Sequence, residues 1–308
     1  MIRVFIDGSA GTTGLRIADR LAAREDIALI RLPEEKRKDA QARREALNAA
    51  DVCFLCLPDD AAREAAAMVE DPDTVVIDTS TAHRVAEGWC YGLPELPGIR
   101  ERLPRAKRIA NPGCHATGFV VLAAPLAAAG LIAADARLSC FSLTGYSGGG
   151  KKMIAQYEEA GRDTLLDAPR TYGLTQGHKH LPEMAKWSGL RYPPVFSPIV
   201  APYYAGMEVV LPLTPDLCGG SLADVEAVYA AAYPGGLIHF DRGADEGGFL
   251  SAGAYAGRDD LSVSVYGQEG RITCVARFDN LGKGASGAAI QNMNIAFGLD
   301  ESTGLVTA

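Results

Sequence analysis

The chain has 308 residues, of which 48% are hydrophobic, and a formal net charge of −8. This length suits two domains of ordinary size. The acidic balance argues against a general nucleic-acid binder or a protein that binds anionic membranes, since both need positive charge. No stretch has the length and apolarity of a transmembrane helix, and the first residues lead directly into a strand, so we expect a cytoplasmic protein.

The first hundred residues alternate between strand and helix patterns. Short, nearly continuous apolar runs predict the strands, and longer periodic or polar stretches predict the helices. We predict strands at 2–7, 28–32, 52–57 and 75–78, and helices at 12–23, 34–50 and 60–69. Such an alternation is typical of a doubly wound, parallel α/β sheet of Rossmann type.

A glycine-rich loop joins the first strand to the first helix. Its glycines would let the backbone approach a dinucleotide pyrophosphate, to which the helix N-terminus offers N–H donors. The spacing is G-x-x-G-x-x-G, whereas the usual fingerprint is G-x-G-x-x-G, so a plain tight turn is the alternative. The loop residues are Gly8, Ser9, Ala10, Gly11, Thr12, Thr13 and Gly14.

The segment after the second strand bears on the choice of dinucleotide. No acidic residue directly closes that strand, where one would bind the ribose hydroxyls of NAD. Pro33, Glu34 and Glu35 come first, then Lys36 and Arg37, and basic groups accommodate the 2′-phosphate of NADP. These residues therefore favour NADP, with a solvated helix face as the alternative.

Seven cysteines are scattered along the chain. Cys53 and Cys56 have redox or zinc spacing, but they lie in an apolar strand, where residues three apart point to opposite faces. We interpret both as core residues. Cys114 differs, because it follows the turn Asn111-Pro112-Gly113 and precedes an apolar run that predicts a buried helix. A helix N-terminus favours a thiolate, so Cys114 is the candidate nucleophile, with a buried structural cysteine as the alternative.

The pattern of predicted strands and helices changes after Cys114. We predict strands at 138–144 and 208–213, a helix at 222–233 that begins after Ser221, and a hairpin formed by 261–266 and 272–278. A last helix is predicted at 285–297. Longer, alternating strands indicate an α+β domain with a mixed or antiparallel sheet, half open to solvent.

Two further segments carry polar side chains suited to chemistry. His178 and His180 precede Pro182 and Glu183, and Pro182 suits the first turn of a helix, which would place His180 just before it. A histidine beside a thiolate can transfer protons. One alternative is that the two histidines bind a metal, for which the sequence offers no obvious third ligand. The other alternative is that both are surface residues. Lys151 and Lys152 follow a glycine-rich loop that could cradle an anion or simply be flexible.

Together these motifs resemble the N-acetyl-γ-glutamyl-phosphate reductases, a family related in fold and chemistry to aspartate-semialdehyde dehydrogenase. The chain is more similar to the short, type 2 form, with Thr81-Ala82-His83-Arg84 where Ala-Asp-Phe-Arg is usual and His115 where Tyr is usual. The resemblance rests on the segments 8–14, 78–84, 91–96, 111–118, 145–150, 178–183 and 280–287.

The resemblance implies reduction of N-acetyl-L-glutamyl 5-phosphate to the semialdehyde in arginine biosynthesis, with NADPH as cofactor and no metal. Cys114 would form a thioester and His180 would act as general acid–base. Residues 1–113 and 285–308 would bind NADP, and 114–284 would form the substrate and dimerisation domain of a homodimer or homotetramer. Implied substrate ligands are Arg84, Lys151, Lys152, His178 and Glu183. Further cofactor contacts, beside the glycine loop, Lys36 and Arg37, are Ser80, Ser147, Gly148, Asn280 and Lys283.

Other functions of the same fold stay open. An aspartate-semialdehyde or aminoadipyl-phosphate type of dehydrogenase would share the cysteine and the nucleotide loop. A non-catalytic NADP-binding regulator would retain the fold, although an intact pair of Cys114 and His180 speaks against it.

Overall fold

A computed structural model describes residues 1–307. The chain divides into two compact units. The first comprises Met1–Gly113 and Ala285–Leu305, and the second comprises Cys114–Gly284 with the C-terminal end from Val306. None of the helices within residues 1–307 combines the length and the apolarity needed to cross a membrane.

The first unit is built on a six-stranded sheet in which every pair of neighbouring strands is parallel. Its strands are β1 (Ile2–Asp7), β2 (Ile27–Ile30), β3 (Val52–Leu55), β4 (Val75–Asp78), β5 (Cys90–Tyr91) and β6 (Arg108–Ala110). They lie in the order β2-β1-β3-β4-β6-β5. The helices are α1 (Thr12–Ala22), α2 (Ala40–Ala49), α3 (Asp59–Met68) and α8 (Gly287–Ala296). Strands β3 and β4 are buried throughout, as expected for a doubly wound sheet covered on both faces.

Two helices of this unit differ from the sequence prediction. The stretch 34–50 is not one helix: a 3₁₀ turn spans Glu34–Lys36, and α2 begins only at Ala40. The side chain of Asp39 accepts a hydrogen bond from the Ala42 N–H at 2.7 Å, which starts α2 at that point. The last helix begins at Gly287 rather than at residue 285, because a π-helical turn (Gly282–Ser286) precedes it.

The second unit is built on a seven-stranded mixed sheet of order β11-β12-β13-β10-β7-β9-β8. The strands are β7 (Ser139–Gly145), β8 (Arg170–Thr171), β9 (Val195–Ala201), β10 (Met207–Leu213), β11 (Ile238–Phe240), β12 (Leu261–Gln268) and β13 (Arg271–Phe278). The helices are α4 (Cys114–Ala128), α5 (Gly150–Glu158), α6 (Leu181–Ser188) and α7 (Leu222–Ala232). The predicted hairpin forms from β12 and β13, and the Ser221 side chain caps α7.

Helix α4 lies against one face of the mixed sheet, in contact with β10 and β13. Every second residue of β10 is buried there, beginning with Met207. Gly118 makes the approach close, because a Cβ at that position would lie 2.3 Å from a methyl carbon of Val209. The packing therefore fixes α4, and with it the residue at which α4 begins.

Candidate active site

Cys114 is the first residue of α4, a helix whose first three turns are almost wholly buried. The cysteine itself is partly exposed. A helix N-terminus carries partial positive charge and unpaired N–H groups, which favour a thiolate. Burial, by contrast, raises the pKa of Cys53, Cys56 and Cys274 to about 12. Cys114 thus combines access with an environment that suits a nucleophile.

Gly284 lies directly against Cys114. A Cβ built on Gly284 would lie 2.9 Å from the Cys114 Cβ, 3.1 Å from the Asp279 carbonyl oxygen and 3.2 Å from a ring carbon of Phe278. Any side chain there would push on the cysteine. The Asp279 carbonyl accepts hydrogen bonds from the N–H groups of Gly282 and Gly284 at 3.0 Å each. This support was not foreseen from the sequence, since nothing in the spacing links residue 284 to residue 114.

Three of the five histidines meet in the same unit. The His115 ring lies 5.5 Å from that of His178 and 5.6 Å from that of His180, and the His178 and His180 rings are 4.8 Å apart, centroid to centroid. His180 directly precedes α6 at the N-cap position, without a capping hydrogen bond from its side chain, and α6 packs against α4. The fold therefore brings His180 into the ring cluster around the residue that follows Cys114.

The hydrogen bonds of the cluster distinguish its members. His115 is buried; its Nδ1 lies 2.7 Å from Ser142 Oγ and its Nε2 lies 2.7 Å from the Tyr172 hydroxyl. The His180 backbone N–H donates to His178 Nδ1 at 3.2 Å. Burial lowers the pKa of His115 to about 3 and that of His178 to about 4, so both are neutral at pH 7. Burial, and next the Cys114 charge, raises the pKa of Tyr172.

The other predicted site residues of the second unit differ in their burial and in their hydrogen bonds. Asn280 accepts from the Gly206 N–H at 2.9 Å and donates to Ser147 Oγ at 3.0 Å, which ties three loops together. Glu183 is buried in the first turn of α6. Lys283 is fully buried, whereas Gly148, in the 3₁₀ turn before α5, and Lys151 and Lys152, at the start of α5, are exposed.

The glycine loop of the first unit fits a dinucleotide phosphate. Gly8 has φ +84°, and a Cβ there would lie 2.2 Å from the Cys56 carbonyl oxygen. A Cβ on Gly14 would lie 2.6 Å from the Gly8 carbonyl oxygen. Gly11 precedes α1 with no side-chain cap, and the buried Thr12 hydroxyl has no hydrogen-bond partner within residues 1–307. Open N–H groups and an unsatisfied hydroxyl are the donors that a phosphate needs.

The end of β2 holds a basic residue that the sequence analysis missed. Arg31 directly follows the strand and is exposed, whereas the predicted strand 28–32 had placed it inside. Lys36 lies in the 3₁₀ turn with Arg37 next to it, and both are exposed. The turn begins with Glu34 and Glu35, but no acidic residue directly closes β2. The arrangement fits the 2′-phosphate of NADP better than the free ribose of NAD.

Ser80 and Arg84 lie in the turn after β4. The Ser80 hydroxyl donates to Asp78 Oδ2 at 2.8 Å. Arg84 is buried, and its guanidinium donates to the carbonyl oxygens of Asn111 at 3.0 Å and Thr79 at 2.9 Å. Arg84 therefore holds the segment that leads to Cys114, and its predicted role as a substrate ligand stays a prediction.

Within residues 1–307, no three His, Cys, Asp or Glu side chains are placed to share a metal ion. The Cys53 thiol lies in β3 and donates to the Leu47 carbonyl oxygen at 3.3 Å, as a core residue would.

Comparison with known proteins identifies the relatives of the chain. Residues 3–103 match the family described as semialdehyde dehydrogenase, NAD binding domain, and residues 114–280 match semialdehyde dehydrogenase, dimerisation domain. The N-acetyl-gamma-glutamyl-phosphate reductase 2 of a Nostoc species is 43% identical over 98% of this chain and 99% of its own length. The N-acetyl-gamma-glutamyl-phosphate reductase of Brucella ovis is 45% identical over 96% of this chain and 99% of its own length.

A solved structure agrees at the level of the fold. Aspartate semialdehyde dehydrogenase II of Vibrio cholerae, complexed with ASA, matches with a TM-score of 0.71 over 96% of this chain and 98% of its own, at 17% identity. The predicted fold class and the predicted resemblance are both confirmed. The chain belongs to the semialdehyde dehydrogenase family, within its N-acetyl-γ-glutamyl-phosphate reductases.

Proposed function

We propose that the chain reduces N-acetyl-L-glutamyl 5-phosphate to N-acetyl-L-glutamate 5-semialdehyde with NADPH, a step of arginine biosynthesis. The observation that carries this proposal is Cys114 at the start of α4, with α6, which His180 directly precedes, packed against that helix. Relatives that are named N-acetyl-gamma-glutamyl-phosphate reductase, and that match over nearly the full length of both chains, support this choice of substrate. The second unit thus supplies a nucleophile and an acid–base group, the parts that acyl transfer through a thioester needs.

The first half of the reaction releases phosphate. The Cys114 thiolate attacks the acyl carbon of the substrate, and an S–C bond forms. The C–O bond to the phosphoryl group breaks, and inorganic phosphate leaves with the electron pair. Cys114 is then an acyl thioester. Because α4 presents an N-terminus at this sulfur, its partial positive charge favours the thiolate that starts the step.

The second half forms the aldehyde. Hydride transfer to the thioester carbonyl is the chemistry that bound NADPH supplies. His180 donates a proton to the carbonyl oxygen as it gains charge, which leaves a thiohemiacetal on Cys114. The same histidine then takes the hydroxyl proton back while the C–S bond breaks, and the thiolate is restored. His115 and His178, with pKa values of about 3 and 4, stay neutral through these steps.

The glycine loop, Arg31, Lys36 and Arg37 are our candidates for holding NADP. Gly8 and Gly14 leave the backbone bare, and the buried Thr12 hydroxyl offers an unused donor. Exposed basic side chains at the end of β2 supply charge for the 2′-phosphate.

The test is the phosphate-dependent reverse reaction, followed as NADP⁺ reduction with N-acetylglutamate semialdehyde and, separately, with aspartate semialdehyde. We expect the acetylated substrate to be strongly preferred. Cys114→Ala should abolish turnover, and the matched Cys218→Ala should retain it, since Cys218 is a buried cysteine of the same unit. Incubation with acyl phosphate alone should add the acyl mass to the Cys114 peptide. Equal use of aspartate semialdehyde would refute the substrate, and an active Cys114→Ala would refute the thioester.

The face of the mixed sheet that is turned away from α4 supports the proposal that identical chains assemble. We place this assembly in the cytoplasm. The face turned away from α4 carries two exposed large apolar side chains, Phe141 (44% exposed) on β7 and Val195 (62% exposed) on β9. The backbone register places polar residues on the same face, among them Ser139 and Ser197. Exposed apolar side chains on one face are candidates for an interaction surface. We infer a homodimer or homotetramer through this face, which light scattering of the purified chain measures directly.

A further inference from the structure

The edge of β9 that faces β8 changes its partner along its length. β8 pairs with β9 over two residues, and the N–H of Tyr172, which directly follows β8, donates to the Pro198 carbonyl oxygen at 3.0 Å. The chain then turns, with Gly173 at φ +63°. The backbone N–H and C=O of Phe196, further along the same edge, lie beyond the end of β8. Backbone groups in this position need another partner.

The side chain of Gln176 is that partner. Its Oε1 accepts from the Phe196 N–H at 2.9 Å, and its Nε2 donates to the Phe196 carbonyl oxygen at 2.8 Å. At the sheet edge, a side-chain amide thus makes the two bonds that the backbone of a neighbouring strand would otherwise make. Both bonds run to one residue, so they fix the orientation of the amide as well as its distance from β9.

The backbone of Gln176 adopts a conformation that glutamine rarely takes. Among the described residues 1–307, Gln176 is the one non-glycine residue with a positive φ, which is +58°. Side chains of L residues disfavour this left-handed region, where Gly, Asn and Asp are usual. Gln176 is also exposed, so core packing does not hold it there. An unfavourable conformation that the surrounding contacts maintain marks a segment whose position matters for function.

The segment that begins at Gln176 carries two histidines of the ring cluster, His178 and His180. The Phe196 ring lies 5.1 Å from that of His178 and 5.3 Å from that of His115, centroid to centroid. Phe196 therefore contacts this segment twice, because its backbone binds the Gln176 amide and its ring packs on His178. Since β9 also pairs with β7, Phe196 is a firm support for the segment.

We propose that Gln176 is a positioning residue for His180: its amide holds the histidine segment on β9, and this places the His180 ring for proton transfer at the acyl group on Cys114. The inference rests on the proposed function for the role of His180. Loss of the amide would leave the contact of α6 with α4 in place but release the residues between 176 and α6. We therefore expect the step that uses His180 to slow, while the thiolate chemistry of Cys114 continues.

Kinetics of Gln176→Gly test the proposal. Glycine takes a positive φ without steric cost, so the variant removes the two amide bonds and adds no backbone strain. We expect aldehyde formation to slow about 10-fold or more, since a displacement of about 1 Å at a reacting group costs on the order of 10²-fold. Acylation of Cys114 by the acyl phosphate without NADPH, and the KM for NADPH, should stay within about twofold. Thr175→Ala, an exposed neighbour, is the control and should alter neither half-reaction.

The two half-reactions also show which idea fails. An equal loss in acylation and in aldehyde formation would overturn the positioning role, because general damage to the fold lowers both. Unchanged aldehyde formation in Gln176→Gly would overturn it as well. Failure of the unaltered chain to acquire the acyl mass on Cys114 would instead refute the proposed function.

Hydrogen exchange and NMR test the position of the segment without any activity. The Gln176 amide protects the Phe196 N–H, so we expect Gln176→Gly to exchange that proton about 10-fold faster, with exchange in β7 unchanged. The chain has five histidines, so ¹⁵N-labelled ring signals can be resolved. The signals of His178 and His180 should shift, and those of the two histidines outside the cluster should not. Retained protection with unshifted ring signals would overturn the proposal whatever the activity.

Discussion

Replacement of Gly284 by alanine tests whether close packing positions Cys114. The added Cβ would lie 2.9 Å from the Cys114 Cβ, whereas carbon atoms in favourable contact are about 3.5–4.0 Å apart. Relief of that overlap alone requires a movement of roughly 0.6–1.1 Å by this difference. The Asp279 carbonyl oxygen at 3.1 Å and Phe278 at 3.2 Å leave the alanine little room on its other sides. Cys114 is therefore the group that must move.

A displacement of about 1 Å at a reacting atom costs on the order of 10²-fold in rate. We expect kcat for the reduction to fall 10- to 100-fold, with a loss of roughly 1–3 kcal/mol in the free energy of unfolding from overpacking. Steady-state kinetics, urea unfolding and the rate of Cys114 alkylation by iodoacetamide measure the three effects. Gly253→Ala is the control, because its nearest neighbour would lie 3.6 Å away. A Gly284→Ala enzyme with normal kcat would refute the positioning argument.

Two further predictions concern the cofactor and pH. Arg31→Ala should raise the KM for NADPH about 10-fold and leave the KM for NADH unchanged, since the substitution removes charge beside the 2′-phosphate. Lys36→Ala and Arg37→Ala report whether the 3₁₀ turn shares that role. An equal change in the KM for NADPH and for NADH would exclude a contact with the 2′-phosphate. His115 and His178 have folded-state pKa values of about 3 and 4, below the ordinary 6.5, so their contribution to stability is present above pH 6.5 and is lost as pH falls. Urea unfolding between pH 7.5 and 4.5 should show uptake approaching two protons at the acid end, and His115→Phe should remove about one; a pH-independent free energy of unfolding would contradict the buried, neutral cluster.

Much of the fold follows from local pattern. The alternation of β1 to β4 with helices, the α7 cap at Ser221 and the β12–β13 hairpin all rest on periodicity and turn chemistry, which short segments carry within themselves. Strand β9 was not foreseen, because Pro198 lies inside it and proline lowers the expectation of a strand. It is held by pairing with β7 and β8, which local pattern does not contain.

The residues of the candidate site also fall into two groups: those that the local sequence indicates and those that only the tertiary structure brings together. Cys114 and His180 are marked by their own neighbours, a turn before a buried helix and a proline at the first turn of another. The partners of His115 come from distant segments, since Ser142 lies on β7 and Tyr172 directly follows β8. Gly284 meets Cys114 only in the folded chain. Contacts between residues far apart in sequence need the tertiary structure, so these roles were not available from spacing.

The charges around Cys114 explain why one histidine of the cluster suits proton transfer. His115 and His178 are neutral at pH 7, and Tyr172 is neutral too because its pKa is raised. A positive charge on either histidine would stabilise the thiolate further and so lower its nucleophilicity towards the acyl carbon. With those rings uncharged, His180 is the histidine of the cluster that we propose to exchange the proton during the reaction, and the α4 N-terminus supplies a fixed attraction on the sulfur. The buried histidines therefore serve the reaction by staying neutral.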